Sequence, residues 1–117
     1  MAFAWLDHAV VEETKVKAYL LSLEHTFGRA KARIFLAHGF SQGEWNLLRE
    51  ALLRHAREGR IVGSETSAFG VKYVVEGRIV TPGGRSPMVR SVWFEERDSG
   101  PVRLVTAYPV RGTNDDS

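Results

Sequence analysis

Apolar positions recur at helical spacing up to Gly59 and alternate with polar ones after it, so the chain reads as a helical part followed by a strand part. A first stripe, Val16, Tyr19, Leu20 and Leu23, predicts a helix from about Thr14 to Leu23. The second predicted helix runs from about Arg29 to His38 and is closed by Gly39, because helix stops favour the left-handed backbone that glycine adopts freely. Ser41 and Glu44 have the spacing of a capping box and open a third helix, which continues to Arg57 and stops at Gly59. Beyond it, alternation predicts strands over 60–69, 71–80, 88–96 and 102–108. Pro82-Gly83-Gly84 and Asp98-Ser99-Gly100 supply turn chemistry at the later breaks. The predicted class is α+β, with about three N-terminal helices packed on one face of a mainly antiparallel, about four-stranded C-terminal sheet.

The last hairpin can be given a register. A loop from Arg97 to Gly100 pairs Glu96 with Pro101, which sets Trp93 opposite Leu104, Ser91 opposite Thr106 and Val89 opposite Tyr108. One face then carries Trp93, Ser91, Thr106 and Tyr108. The other carries Phe94, Val92, Val105 and Ala107, with Arg90 at its end. The second set is more uniformly apolar and is expected under the helices, leaving the hydroxyl face open as the floor of a ligand cleft. A slip of one residue exchanges the faces.

With 117 residues, 44% of them hydrophobic, the chain can bury one core. Residues 1–111 are expected to form a single globular domain and residues 112–117 a disordered tail. Cysteine is absent, which excludes a disulfide framework and thiolate metal sites. A basic leader and a membrane-length apolar run are also absent, so a cytoplasmic protein without membrane contact is expected. The formal charge of +2 permits a nucleic-acid partner without demanding one. Eight of the 16 Lys/Arg and seven of the 14 Asp/Glu precede Arg60, so neither half is a basic tail.

Candidate chemistry is basic and hydroxylic. Lys31 and His38 lie seven apart, nearly on one line that runs between Ile34 and Phe35, and His55 falls within the apolar arc of the third helix. Each has an ordinary explanation: a lysine stem snorkels along apolar surface, and a histidine on such a face is more often a hydrogen-bonded core residue. An imidazole and a fixed cation are nonetheless what phosphoryl chemistry uses. Arg29 and Arg33 share another face, more readily a solvated stripe than a phosphate clamp. Thr106 and Tyr108 are also good strand formers irrespective of function. HExxH, CxxC, Walker, GxSxG and dinucleotide signatures are missing, and no metal or cofactor is expected.

Gly28-Arg29-Ala30-Lys31-Ala32, Gly39-Phe40, Phe69-Gly70-Val71-Lys72-Tyr73, Val92-Trp93 and Leu104-Val105-Thr106-Ala107-Tyr108-Pro109 together resemble an uncharacterised bacterial family of small domains, over roughly residues 5 to 110. The final motifs resemble toxin modules of the barnase, EndoU, colicin and RelE ribonuclease fold. That resemblance implies metal-independent RNA cleavage by attack of the ribose 2′-hydroxyl on its own phosphate. It implies His55 or His38 as base or acid, Lys31, Arg90 and Arg29 on phosphate, Thr106 and Tyr108 as phosphate ligands or proton donors, and Trp93 stacked on a base. The alternatives are a non-catalytic protein-binding module of a toxin–antitoxin or immunity-type pair, facing a small cognate protein, and a homodimeric structural domain.

Overall fold

Among the described residues the alternation after Gly59 folds as four strands, β1 (Arg60–Ser67), β2 (Gly70–Arg78), β3 (Met88–Glu96) and β4 (Arg103–Pro109), joined in chain order as one antiparallel meander. The structure, a computed structural model, describes residues 9–16, 29–96 and 101–110; the side chains of residues 29–31 lie outside that description. The helices are α1 (Glu13–Lys15), α2 (Arg29–Ala37) and α3 (Trp45–Glu58), which makes the class α+β. Most of the helix expected from Thr14 to Leu23, the Arg97 to Gly100 loop and the expected C-terminal tail fall outside the described residues. No described helix is long and apolar enough to cross a membrane.

Helix α3 buries Leu48, Leu52, His55 and Ala56, the inward stripe that its spacing encodes. Its start departs from the capping box. The helix begins at Trp45, and the Glu44 N–H donates to Ser41 Oγ at 3.3 Å one turn earlier, so Ser41 caps the preceding turn. Helix α2 ends as expected, with Gly39 at a φ of 100°. The turn that follows is pinned to the β2–β3 loop, where Gly83 N–H donates to the His38 carbonyl at 2.9 Å.

The sheet departs from the expected register at one point. Trp93 does pair with Leu104, but Val92 pairs with Thr106, so Val105 is an extra residue in β4. Ser91 therefore faces Ala107, Arg90 faces Tyr108 and Val89 faces Pro109. This corrects the expected faces. Val75, Val89, Trp93, Leu104 and Ala107 are buried with Phe35, Leu48, Leu52 and Ala56 in one core, so the covered face is that of Trp93 and not that of Phe94 and Val92. The bulge lets β4 offer Leu104 and Ala107 to the core while Thr106 and Tyr108 turn to the opposite face, where Val92 and Arg90 stand. Val62 is the matching extra residue in β1, between Ile61 and Gly63.

The N-terminal segment adds a contact that periodicity did not predict. Val10 bridges Arg103 in parallel, with Val10 N–H donating to the Val102 carbonyl at 2.8 Å and Leu104 N–H to the Val10 carbonyl at 3.0 Å. At the far end the β1–β2 turn is built by Ser67, whose Oγ accepts the Phe69 N–H at 3.1 Å. Gly70 follows at a φ of 153°, and a Cβ there would lie 2.2 Å from the Glu95 carbonyl oxygen. Gly70→Ala is therefore expected to lose about 2 kcal/mol. Urea denaturation checks this, and an unchanged midpoint would contradict the tight approach of β2 to β3.

Candidate functional site

The candidates separate into two environments. His55 and Trp93 belong to the core, 1% and 0% exposed. Trp93 Nε1–H donates to Ser91 Oγ at 2.7 Å, and the same oxygen lies 2.8 Å from His55 Nε2. An indole N–H only donates, so Ser91 Oγ accepts from Trp93 and can give its own hydrogen to Nε2. This arrangement puts the imidazole proton on Nδ1, which lies against the backbone of Gly77 and Val75 without a well-formed hydrogen bond. Burial lowers the His55 pKa to about 4, against an upward pull from the Gly77 and Val75 backbone. The ring rests on the bare Cα of Gly77, where a Cβ would come 3.4 Å from Nδ1. The group is a neutral, water-shielded polar link between α3 and β3.

On the opposite face, Thr106, Tyr108 and Arg90 come together. Arg60, Glu76, Arg90 and Tyr108 form one row across the four strands. Val74, Val92 and Thr106 form the next, and Lys72, Phe94 and Arg103 a third. None of these ten side chains is buried. Arg90 donates Nε–H to Glu76 Oε2 at 2.7 Å and a second N–H from Nη2 to the same oxygen. Arg90 also hydrogen-bonds Tyr108, and Glu76 first, then Tyr108, hold the guanidinium more firmly charged. Lys72 Nζ pairs with Glu65 at 3.2 Å. The Thr106 Oγ1 atom is buried and has no hydrogen-bond partner among the described residues, a costly state for a hydroxyl unless it rotates to meet one.

The other candidates lie elsewhere. His38 is half-buried in the turn after α2. Arg33 is exposed, and the side chains of Lys31 and Arg29 fall outside the described residues. Tyr73, from the Phe69-to-Tyr73 motif, donates to Glu95 Oε1 at 3.1 Å; burial first, then Glu95, pushes the phenol pKa up. Among the described residues no three His, Asp or Glu side chains gather as a metal cluster. Sequence reasoning missed Glu76. Its partnership with Arg90 exists only through the β2–β3 register, and neither residue's neighbours in the chain signal it.

This face can hold an anion against a hydrogen-bonded arginine, with a phenol beside it and apolar valines alongside. The described fold is shared with a chain in a solved structure, a contact-dependent growth inhibition toxin–immunity protein complex from Klebsiella pneumoniae 342. The match has a TM-score of 0.69 and 21% sequence identity, and covers 86% of this chain and 99% of that one. None of the curated proteins matches the sequence. Residues 3–111 match the family described as a domain of unknown function (DUF6883), and the chain belongs to that family.

Proposed function

We propose that this domain is a metal-independent endoribonuclease-like toxin module that works on the open face of its sheet. The observation that carries the reading is the Arg90–Tyr108 pair beside Thr106 on a face that is not buried. In the proposed reaction the ribose 2′-hydroxyl attacks the adjacent phosphorus and the bond to the 5′-oxygen breaks. The 2′-hydroxyl proton passes to water, the leaving 5′-oxygen takes one up, and a 2′,3′-cyclic phosphate remains. The Arg90 fork would hold the non-bridging oxygens, and Tyr108 would hydrogen-bond the crowded phosphate or protonate the leaving oxygen. Thr106 would add a hydrogen bond after a change of χ1 that brings its buried hydroxyl to the surface. Lys31 and Arg29 stand on α2, which packs against the covered face, so they would contact phosphate only beyond the Arg90–Tyr108 seat. His55, neutral and enclosed, suits the core better than proton transfer, and His38 follows α2 on the covered side of the sheet, so the proposed chemistry on the open face uses neither imidazole.

The test is induced expression of the wild type, Arg90→Ala, Tyr108→Phe and Lys31→Ala, with growth and RNA integrity scored and folding checked by circular dichroism. Wild type should arrest growth and cleave RNA, and Arg90→Ala and Tyr108→Phe should each slow cleavage about a hundredfold while remaining folded. Intact RNA and normal growth with the wild type would reject the nuclease reading. The second reading, an immunity-type protein-binding module, is favoured by Phe69, which is 78% exposed at the tip of the Ser67-braced hairpin. A rigidly presented aromatic is a common anchor for a protein partner. The toxin–immunity complex that contains the similar chain supports a partner of that kind. A dimer in solution would instead favour the homodimeric structural reading.

A further inference from the structure

Glu76 has no task in the reaction above, yet it grips the arginine at the centre of the face. Its Oε2 accepts from both Nε and Nη2 of Arg90, so it occupies one edge of a planar guanidinium. Tyr108 takes another donor, and the rest of the five-donor fork remains for a ligand. The pair is neither sealed nor loose, with side-chain exposures of 39% for Arg90 and 23% for Glu76. Two consequences follow from chemistry. The rotamer freedom that a loose arginine would lose on meeting an anion is already spent, so Arg90 is pre-organised. The carboxylate also sits within bonding reach of that guanidinium, so any anion there feels its negative charge, and a dianion feels it twice as strongly as a monoanion.

We propose that Glu76 is a positioning and specificity residue: it orients Arg90 and makes the seat beside Tyr108 favour a singly charged phosphodiester over a doubly charged terminal phosphate. The proposal rests on the reading of this face as the ligand side, and it deepens that reading from RNA in general to an internal linkage.

The experiment uses the full chain, ¹⁵N-labelled, and two probes that cannot be cleaved, a 2′-deoxy dinucleotide carrying one phosphodiester and the matching 5′-mononucleotide. In the wild type the Arg90 Nε–H signal should be resolved and slowly exchanging, and the dinucleotide should bind more tightly than the mononucleotide. Glu76→Ala should broaden that signal and weaken dinucleotide binding about tenfold. Glu76→Gln keeps an accepting oxygen without the charge, so it should retain the signal and improve dinucleotide binding about threefold and mononucleotide binding about tenfold. An Arg90 signal and dinucleotide affinity unchanged in Glu76→Ala would overturn the positioning role. An unchanged preference between probes in Glu76→Gln would overturn the specificity role. Failure of the wild type to bind either probe would overturn the ligand-face reading itself, and a Glu76-dependent Arg90 signal in that case identifies the face, rather than the Glu76–Arg90 link, as the faulty premise.

Discussion

Trp93→Ala is expected to cost about 3–5 kcal/mol of stability, enough to unfold much of a domain whose total is about 5–15 kcal/mol. Trp93 is fully buried among residues of β2, β4, α2 and α3, and its removal leaves a cavity that a sheet cannot collapse into without breaking its register. Part of the loss is polar. Without the indole N–H, His55 is the one side-chain partner left to Ser91 among the described residues. Trp93→Phe separates the two contributions, since it retains most of the apolar volume and should cost about 1–2 kcal/mol. Urea denaturation followed by far-ultraviolet circular dichroism measures both. A loss below about 1 kcal/mol for Trp93→Ala would refute the central place given to this residue. The same result bears on function: a fully buried indole offers no face to a base, so RNA cleavage lost in Trp93→Ala reports unfolding.

Acid should weaken the domain through His55 alone by up to roughly 3 kcal/mol. Its folded-state pKa is about 4, against 6.5 as the ordinary value for the unfolded chain. Between those values the unfolded chain binds a proton that the folded one excludes, so the contribution is fully present above pH 6.5 and is lost as pH falls toward 4. Carboxylates elsewhere also titrate in this range. The comparison must therefore be with His55→Gln, which cannot take up the proton. Wild type should lose about 2–3 kcal/mol more than His55→Gln between pH 7.5 and pH 4 in urea denaturation. Parallel pH profiles for the two proteins would mean that the ring is protonated or solvated in the folded state.

Periodicity exposed the two halves of this fold because it records which side of each element meets water. The Leu48, Leu52 and Ala56 stripe of α3 and the stop at Gly39 are local properties, and both are legible in the chain. The bulge at Val105 is not. A valine continues the alternation in composition while breaking it in space, so nothing in the residue itself reports that Thr106 and Tyr108 part company with Trp93 and Ser91. The Val10 bridge escaped for a related reason, since one pairing residue has no period. At the site, Arg90, Thr106 and Tyr108 were legible as residue types, whereas their grouping needed the register. His55 and Trp93 meet through Ser91, a small hydroxyl at a core-facing position that can accept from the indole and donate to the imidazole.

The two extra residues, Val62 and Val105, stand on the outermost strands of the meander. An open sheet ends in rows of unsatisfied amides that recruit strands from other chains, and a bulge interrupts such a row by bending it and throwing its spacing out of step. The Val10 segment covers another stretch of the β4 border. Both borders of this domain are thus poor templates for end-to-end fibre growth, which leaves the flat of the sheet, with its arginine and phenol, as the surface on which the proposed partner would dock.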